Sequence, residues 1–377
     1  MAKRQICIKT WYGTENYGSN LQAIGLSETL KEEGYDVYFL KTFAVLPFML
    51  EHPQMFIARV RNYINRGKSK AFFVPEPYEI SEARKERLGQ FSKTHFKEKV
   101  YKASKTWKAD IDDRVIFVAG SDILWNPAKG YPATAFLDFA YYAKLDRFSY
   151  ASSIGALELP KAFYSAYRRY LGSMKEIGVR EQSIVSMLEP IIRKRPTKVV
   201  DPTLLRSREY WKDFSEKAHL SVNVREGGFV LAYFVMNDPR YWEYMQKVSS
   251  ETGLQIIVLP MHSLDEKQPF EIVYDGTPYE FAWLIRNAEF VCTDSFHACV
   301  LSMIFHKEFY LLRRTRKAED AKYDDFLGRY HLQTRSVTDE SRFAALPATD
   351  YGPAEEQLAI DRKDSMDFLH RALEECK

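Results

Sequence analysis

Short apolar segments of strand length alternate with longer segments of helical periodicity along almost the whole chain. Such alternation is typical of α/β folds with mainly parallel sheets. The pattern restarts once, after the charged stretch from Arg206 to Gly228, which we interpret as a linker because it ends in two turn-favouring glycines. A chain of 377 residues is also longer than one hydrophobic core usually organises. The sequence therefore predicts two α/β lobes, with the chemistry in the cleft between them.

The same pattern predicts the boundaries of the lobes. We expect an N-terminal α/β lobe at residues 1–210, which carries a basic helical insertion at about 42–110, and a C-terminal α/β lobe at residues 225–345. Residues 353–377 are predicted to form an amphipathic C-terminal helix that packs on the body of the protein. Further helices are predicted from Asn20 to Glu33 and from His297 to Phe305.

The insertion is strongly basic although the whole chain has a formal net charge of only +3. Between Ile57 and Lys108, 14 Lys and Arg residues accompany 5 Asp and Glu residues, with aromatic residues among them. This composition favours an anionic partner such as a membrane surface, a lipid pyrophosphate or a nucleic acid. A solvated helix face is the alternative. The chain has no secretory signal pattern and no apolar run of spanning length, so we expect a cytoplasmic protein.

Metal and common cofactor sites lack support in the sequence. The four cysteines, Cys7, Cys292, Cys299 and Cys376, include no CxxC pair, and the eight histidines include no pair at metal-ligand spacing. The chain has no GxGxxG, GxSxG or HExxH motif, which removes the main sequence support for dinucleotide, serine-hydrolase and zincin chemistry. We therefore predict no metal centre, and free cysteines suit a reducing compartment.

Two candidate loops lie in the N-terminal lobe. The first contains Asn16, Tyr17 and Gly18, where glycine and a following helix N-terminus favour an anion or a sugar; an ordinary loop with a helix cap at Ser19 or Asn20 is the alternative. The second, Ser121, Asp122 and Trp125, directly follows a predicted strand. There Trp125 would offer a face to a sugar ring, or else would belong to the core.

Two further candidate sites contain a cationic or titratable side chain. Arg180 follows a short strand and has the geometry to grip a carboxylate or phosphate, although a surface pairing with Glu181 is the plainer explanation. His297 follows Asp294 and Ser295 at a predicted helix start, where an imidazole beside free N–H groups suits phosphate binding or proton transfer. A structural histidine at a helix start is the alternative.

In order and spacing, these pieces resemble the polysaccharide pyruvyl transferase family, over a span from about Ile6 to about Arg335. Two positions depart from the family pattern: Ala298 stands where glycine is usual, and Ser295 stands where some branches have arginine. The resemblance rests on Asn16-Tyr17-Gly18-Ser19-Asn20-Leu21-Gln22-Ala23, Gly120-Ser121-Asp122 with Trp125-Asn126-Pro127, Ser149-Tyr150-Ala151-Ser152 with Gly155, Val179-Arg180-Glu181, Asp201-Pro202-Thr203-Leu204 and Thr293-Asp294-Ser295-Phe296-His297.

The resemblance implies two Rossmann-like lobes in a GT-B-like arrangement. It also implies a reaction in which phosphoenolpyruvate pyruvylates a sugar diol, giving a cyclic ketal and phosphate, in the biosynthesis of a surface polysaccharide. No cofactor and no nucleic acid are expected; the expected acceptor is a saccharide linked to a polyprenyl pyrophosphate, met at the inner face of the membrane through the basic insertion.

The requirements of that reaction, which are cations for the donor, a positioned acid and a base, suggest a hypothesis for the roles of particular residues. Arg180, Ser295 and His297 would bind phosphoenolpyruvate, and His297 would be the candidate proton donor. Asp122 or Asp294 would be the base. The acceptor side would be shaped by Asn16, Tyr17, Gly18, Ser121 and Trp125.

Two other functions remain open at this level. One is a nucleotide-sugar glycosyltransferase with the same two-lobed architecture. The other is a carbohydrate-binding relative that has lost the chemistry, an alternative that the departures at Ser295 and Ala298 support.

Overall fold

A computed structural model describes residues 4–43, 53, 79–102, 114–127, 133–156, 158–224, 228–313, 317–337 and 343–376. Two parallel sheets organise these residues. The first sheet consists of β1 (Gln5–Lys9), β2 (Asp36–Phe43), β3 (Glu98–Lys102), β4 (Ile116–Ala119), β5 (Arg147–Ser152), β6 (Ile177–Val179) and β7 (Thr197–Lys198). The second consists of β8 (Phe229–Tyr233), β9 (Gln255–Val258), β10 (Glu271–Ile272), β11 (Phe290–Thr293), β12 (Glu308–Leu312) and β13 (Ser336–Val337).

Both sheets have the strand order of a Rossmann fold. The first runs β3-β2-β1-β4-β5-β6-β7 and the second runs β10-β9-β8-β11-β12-β13. In each lobe the order reverses beside the first strand, between β1 and β4 and between β8 and β11. Ligands of open α/β sheets bind at such switch points, beyond the carboxyl ends of the strands. The expected α/β fold with two Rossmann-like, GT-B-like lobes is therefore confirmed.

Helices connect the parallel strands, as right-handed crossovers require. Within the described ranges, four short 3₁₀ turns lie at Ala133–Phe136, Lys161–Phe163, Asp265–Lys267 and Gln333–Arg335. The described α-helices are α1 (Tyr17–Glu32), α2 (Glu82–His95), α3 (Asp138–Tyr142), α4 (Tyr164–Leu171), α5 (Gln182–Ile192), α6 (Pro202–Leu205), α7 (Arg208–Ser215), α8 (Pro239–Thr252), α9 (Pro278–Asn287), α10 (Phe296–Phe305), α11 (Lys317–Arg329) and α12 (Gly352–Glu375).

Helix α1 lies between the two lobes and is buried at 13 of its 16 positions. The ring of Tyr17 stacks on Phe281 of the C-terminal lobe with ring centroids 5.3 Å apart, and its hydroxyl donates to the Gly276 carbonyl oxygen at 3.2 Å. One hydrophobic cluster contains residues of both lobes, from Ile6 to Cys376. The lobes are therefore joined by a shared core rather than by a linker alone.

Helix α12 also connects the lobes. Near its start, Tyr351 stacks on His306 of the C-terminal lobe at a centroid distance of 4.8 Å. Near its end, Phe368 packs beside Tyr150 in the N-terminal lobe, and Ser365 Oγ accepts the N–H of Val200 at 3.0 Å. The helix therefore fixes the position of one lobe relative to the other.

Several local predictions differ from the structure. The first helix begins at Tyr17 rather than Asn20, because the side chain of Asn16 accepts the N–H of Ser19 and caps the helix there. The strands β3 and β13 were not predicted. The predicted linker contains helix α7, whose Trp211 is fully buried.

Most of the predicted basic insertion lies outside the described residues. Its described part includes α2, where two arginines contact the C-terminal lobe. The buried Arg84 donates to the Pro260 carbonyl oxygen at 2.7 Å, and Arg87 forms ion pairs of 2.6 Å with both Asp275 and Glu280. These two cations therefore stabilise the lobe interface and are not part of a solvated basic face.

Candidate functional site

The two switch points face each other across one cavity of about 360 Å³. Residues after β1 and β4 line one side, and residues after β8 and β11 line the other. We call Trp11, Thr14, Asn16, Ser19 and Asp122 the N-lobe wall, and Arg180, Ser295, His297 and Lys322 the cationic wall; Ile123, Val235 and Phe296 complete the lining.

Arg180 and His297 meet at a single carboxylate oxygen. Arg180 Nη1 donates to Asp201 Oδ2 at 3.1 Å, and His297 Nε2 lies 3.4 Å from the same oxygen. The contact of His297 is close enough for an ion pair but is not aligned as a hydrogen bond, since Nε2 is buried without a hydrogen-bond partner. Asp201 thus brings together a guanidinium from one lobe and an imidazole from the other.

The charges of this cluster stabilise one another. Burial alone would raise the pKa of Asp201, but the charges of His297 and Arg180 and the N–H of Thr203 outweigh it and hold that pKa well below its ordinary value. Burial would lower the pKa of Arg180, but the negative charges of Glu181 and Asp201 outweigh this effect and hold that pKa above its ordinary value. Asp201 is therefore ionised and Arg180 cationic at any pH near neutrality.

Two of the three guanidinium nitrogens of Arg180 donate hydrogen bonds to carboxylates of the protein. Nε donates to Glu181 Oε1 at 2.9 Å, Nη1 donates to Asp201, and the group lies 4.7 Å from the ring centroid of Phe296. Among the described residues Nη2 has no hydrogen-bond partner. A fixed cation with a spare donor is suited to binding an anion that enters the cavity.

Gly18 explains why the imidazole of His297 fits here. A Cβ at position 18 would lie 2.3 Å from His297 Nδ1, closer than real side-chain contacts allow. The absence of a side chain on α1 thus lets the ring pack directly against the helix. The ring thus lies with Nδ1 against Gly18 and with Nε2 toward Asp201.

Asp122 lies on the opposite wall in an unusual backbone conformation. Its φ of +72° falls in the left-handed region, which costs a non-glycine residue roughly 1–3 kcal/mol. Its Oδ2 accepts the hydroxyl of Ser19 at 2.8 Å and its Oδ1 accepts the N–H of Ile123 at 2.8 Å. Burial raises the pKa of Asp122, but the charges of His297 and Arg180 and these hydrogen bonds lower it by more. An ionised carboxylate thus faces the cavity.

Helix α10 begins at the cationic wall. Ser295 caps it by accepting the N–H of Ala298, and His297 is 7% exposed. The N-terminus of α1, capped by Asn16, reaches the same cavity from the other side. Two positive helix ends therefore point to one small volume, together with Arg180 and Lys322.

Five predicted site residues do not line the cavity: Tyr17, Gly18, Ser121, Trp125 and Asp294. Gly18 instead packs against the ring of His297. The prediction that Trp125 offers a face to a sugar is wrong, because its ring is fully buried and its indole N–H donates to the Ala135 carbonyl oxygen at 3.0 Å. The acceptor role predicted for Tyr17 is wrong for the same reason, since the ring is fully buried between the lobes.

Ser121 and Asp294 support the site from behind. Ser121 is fully buried and its hydroxyl donates to Asp201 Oδ2 at 3.4 Å, so it does not reach an acceptor. Asp294 is fully buried; its oxygens accept the N–H groups of Val235 and Met236 at 2.6 and 3.0 Å. The prediction of Asp294 as a base is therefore wrong, and it instead fixes the loop after β8.

Three residues with access to the cavity or its cations were missed. Asp201 lies in one of the segments that carry the family resemblance, but the sequence analysis assigns no role to its side chain. Lys322 lies on α11 and lines the cavity together with Arg180. Trp11 is 41% exposed on the N-lobe wall. Its position just beyond the end of β1 is the sequence feature that could have identified Trp11 as a cavity residue, because ligands bind where parallel strands end.

A second cavity of about 570 Å³ adjoins the first and shares Arg180, Phe296 and Lys322 with it. Its rim carries Asp324, Asp325, Asp361 and Asp364 together with Lys198 and Arg329. The two cavities therefore lie on either side of these three shared residues.

Within the described ranges, no cluster of three or more His, Cys, Asp or Glu side chains could hold a metal ion. The four cysteines are buried, and no disulfide joins any two of them. No described helix is both long and apolar enough to cross a membrane.

A family model described as polysaccharide pyruvyl transferase matches residues 16–315 of the chain. That range contains Asn16, Asp122, Arg180, Asp201 and His297, so it covers both walls of the cavity except Trp11, Thr14 and Lys322. No curated protein matches the sequence significantly.

Several solved structures match this chain at low sequence identity and over most of both chains. A Listeria monocytogenes protein described as a UDP-N-acetylglucosamine 2-epimerase is 12% identical, with 100% of this chain and 91% of that chain covered and a TM-score of 0.49. UDP-GlcNAc 2-epimerase from Neisseria meningitidis, bound to UDP-GlcNAc, is 11% identical (100% and 94% covered, TM-score 0.47). Arabidopsis thaliana UGT89C1, complexed with UDP-L-rhamnose, is 9% identical (99% and 95% covered, TM-score 0.47). At these scores the ligands of those proteins do not indicate the ligand of this chain.

Proposed function

Because this chain belongs to the polysaccharide pyruvyl transferase family, we propose that it transfers pyruvyl from phosphoenolpyruvate to two hydroxyls of a saccharide, forming a cyclic ketal and releasing phosphate. One observation carries the proposal. Arg180 and His297, from different lobes, converge on Asp201 Oδ2 at 3.1 and 3.4 Å beside a cavity that two helix N-termini reach. Phosphoenolpyruvate is a small anion with a carboxylate and a phosphate, and this wall presents the cations for both.

In the proposed donor complex, the spare Nη2 of Arg180 binds the carboxylate or the phosphate. Lys322 and the free N–H groups at the start of α10 neutralise the rest of the negative charge. Lys322 would thereby supply a positive charge in place of the arginine that some branches of the family have at the position of Ser295. The carboxylates of Asp201 and Glu181 hold Arg180 in place, so that it needs no rearrangement when the anion binds.

The chemistry begins with a proton. His297 donates it to the methylene carbon of phosphoenolpyruvate, and the adjacent carbon becomes an oxocarbenium-like electrophile. One sugar hydroxyl attacks that carbon while Asp122, ionised on the opposite wall, takes the hydroxyl proton. The bond from this carbon to the phosphate oxygen then breaks. The second hydroxyl adds to the same carbon and its proton leaves with the phosphate, which closes the ketal.

We propose that the acceptor is a polyprenyl-pyrophosphate-linked saccharide and that the protein meets it at the inner face of a membrane. The basic composition between Ile57 and Lys108 supports this, since lipid pyrophosphates and anionic headgroups attract cations. Arg84 and Arg87 do not contribute, because both are engaged at the lobe interface. Charge-neutralising substitutions at Arg59, Arg61 and Arg66 should weaken sedimentation with anionic vesicles at low salt; unchanged sedimentation would refute the membrane part.

The central test is a pair of measurements on the purified protein. Thermal unfolding with phosphoenolpyruvate and with UDP should show stabilisation by the first and none by the second. Incubation with phosphoenolpyruvate and a panel of lipid-linked mono- and disaccharides should then yield a pyruvylated product by mass spectrometry. Stabilisation by UDP alone would favour a nucleotide-sugar glycosyltransferase. Donor binding with no product from any acceptor would favour a carbohydrate-binding relative without chemistry.

A further inference from the structure

The N-lobe wall carries a large aromatic side chain that the core does not cover. Trp11 is 41% exposed, whereas Trp125 and Trp211 are fully buried. It lies two residues beyond the end of β1 and lines the same cavity as Arg180 and His297. We propose that Trp11 is the stacking platform for the pyranose ring of the acceptor, an inference that rests on the proposed function.

The indole is held in a fixed orientation. Its Nε1–H donates to the carbonyl oxygen of Ile123 at 3.2 Å, and the N–H of Ile123 donates to Asp122 Oδ1 at 2.8 Å. One residue therefore connects the aromatic ring with the carboxylate proposed as base. A ring fixed before the ligand arrives loses little conformational entropy when it binds.

This pair of groups matches the two kinds of surface on a hexopyranose. One face of the sugar ring presents C–H groups, which gain from contact with a flat aromatic surface. The edge presents neighbouring hydroxyls, which donate to a carboxylate such as Asp122. A sugar stacked on Trp11 would thus have its diol directed toward Asp122 and the cationic wall, where the proposed reaction takes place.

The larger neighbouring cavity is a less suitable place for the sugar ring. Its aromatic side chains, Phe296, Phe326 and Tyr330, are all buried, and its rim is rich in carboxylates. Gln182, which lines this cavity but not the smaller one, provides a matched control position.

The test measures protection of Trp11 by simple sugars. Acrylamide quenching of tryptophan fluorescence is recorded with phosphoenolpyruvate present, while the methyl pyranosides of glucose, galactose and mannose are titrated in turn. The difference between wild type and Trp11→Phe isolates the signal of Trp11. We expect at least one glycoside to protect Trp11, and its binding by calorimetry to weaken about tenfold or more in Trp11→Ala but only a few-fold in Trp11→Phe.

Stabilisation by phosphoenolpyruvate should be the same in wild type, Trp11→Ala and Gln182→Ala. Protection that is absent for all three glycosides, or that persists without Trp11, would overturn the proposal; so would weakened glycoside binding in Gln182→Ala with normal binding in Trp11→Ala. A wild type that phosphoenolpyruvate does not stabilise would instead refute the proposed function. The failure of one proposal is therefore distinguishable from the failure of the other.

Discussion

The two walls of the cavity are built by the same fold and carry opposite chemistry. The N-lobe wall lies at the switch point of the first sheet, and the cationic wall combines the switch point of the second sheet with Arg180, which follows β6 of the first. Each wall includes a capped helix N-terminus, Asn16 on α1 and Ser295 on α10. The N-lobe wall adds the carboxylate of Asp122, whose backbone is strained, and an exposed indole. The cationic wall adds a guanidinium, an ammonium and an imidazole. The shared fold provides the position, and the side chains after each strand decide what can bind there.

The strongest test of this comparison alters the guanidinium of Arg180, which contacts residues of both lobes. Arg180→Lys keeps a positive charge but loses the forked geometry, and we expect ketal formation to fall by at least about 10²–10³-fold. Turnover on phosphoenolpyruvate and acceptor measures the effect. Arg180→Ala should lose more, but it also leaves Asp201 and Glu181 buried without a cation, so its thermal unfolding must be recorded beside it. Near-normal turnover in Arg180→Lys would contradict the donor assignment.

His297 tests whether the cationic wall transfers a proton as well as binding an anion. His297→Gln retains a hydrogen-bonding side chain but has no proton to give at neutral pH. We expect the rate of ketal formation to fall about 10²–10⁴-fold, with a smaller change in phosphoenolpyruvate affinity. Single-turnover kinetics separates the two quantities. A loss confined to affinity would make His297 a binding residue only.

Asp122 tests the opposite wall. Asp122→Asn keeps the size of the side chain and removes its charge, and we expect turnover to fall about 10²-fold while stabilisation by phosphoenolpyruvate is retained or increased. The two walls would then differ in a measurable way, since the cationic wall affects the donor and the N-lobe wall does not. Weaker donor binding in Asp122→Asn would show that this division is wrong.

Gly18 tests how closely the two lobes must approach. The Cβ of Gly18→Ala would lie 2.3 Å from His297 Nδ1, so the imidazole must move from its position between α1 and Asp201. We expect turnover to fall about 10-fold to 10²-fold, as displacements near 1 Å do in active sites. Gly89→Ala is the matched control, because nothing lies within 4 Å of its Cβ, and it should be neutral or slightly stabilising. Equal activity of the two variants would contradict the close packing.

The smallest effect on activity is expected away from the cavity, at the lobe interface. His95 of α2 lies 2.7 Å from the hydroxyl of Tyr279, and burial, together with the charge of Lys217, lowers its pKa from 6.5 to about 4. Between pH 6.5 and about pH 4, His95 is protonated in the unfolded chain but not in the folded chain. The free energy of unfolding therefore decreases as the pH falls through this range. We expect this group to lower the free energy of unfolding by about 2 kcal/mol at pH 5 relative to pH 7.

Urea unfolding of wild type and His95→Gln at the two pH values measures this difference. The variant should lose the His95 contribution to the pH dependence and should keep its turnover at pH 7. An identical pH dependence in both proteins would show that His95 titrates normally.

The sequence predicted a large part of this arrangement, but not which side chains face the cavity. Arg180, His297 and Asp122 were identified because each follows a strand of strong apolar pattern, and parallel strands end at one edge of a sheet. Trp125 and Tyr17 lie in equally suitable segments but are buried. An aromatic residue after a strand can point to the core or to the ligand, and the sequence does not distinguish the two because both positions favour the same residue.

The sequence alone determined the alternation of strands and helices, the restart that makes two lobes, and the polar residues that follow the strands. These properties are local, since they depend on periodicity and on residue types at neighbouring positions. Only the tertiary structure decided that Asp201 joins Arg180 to His297, that Gly18 makes room for the imidazole, and that Trp11 stays uncovered. Those contacts join residues distant along the chain, and their distances depend on how α1 and α12 pack the two lobes together, which no local pattern specifies.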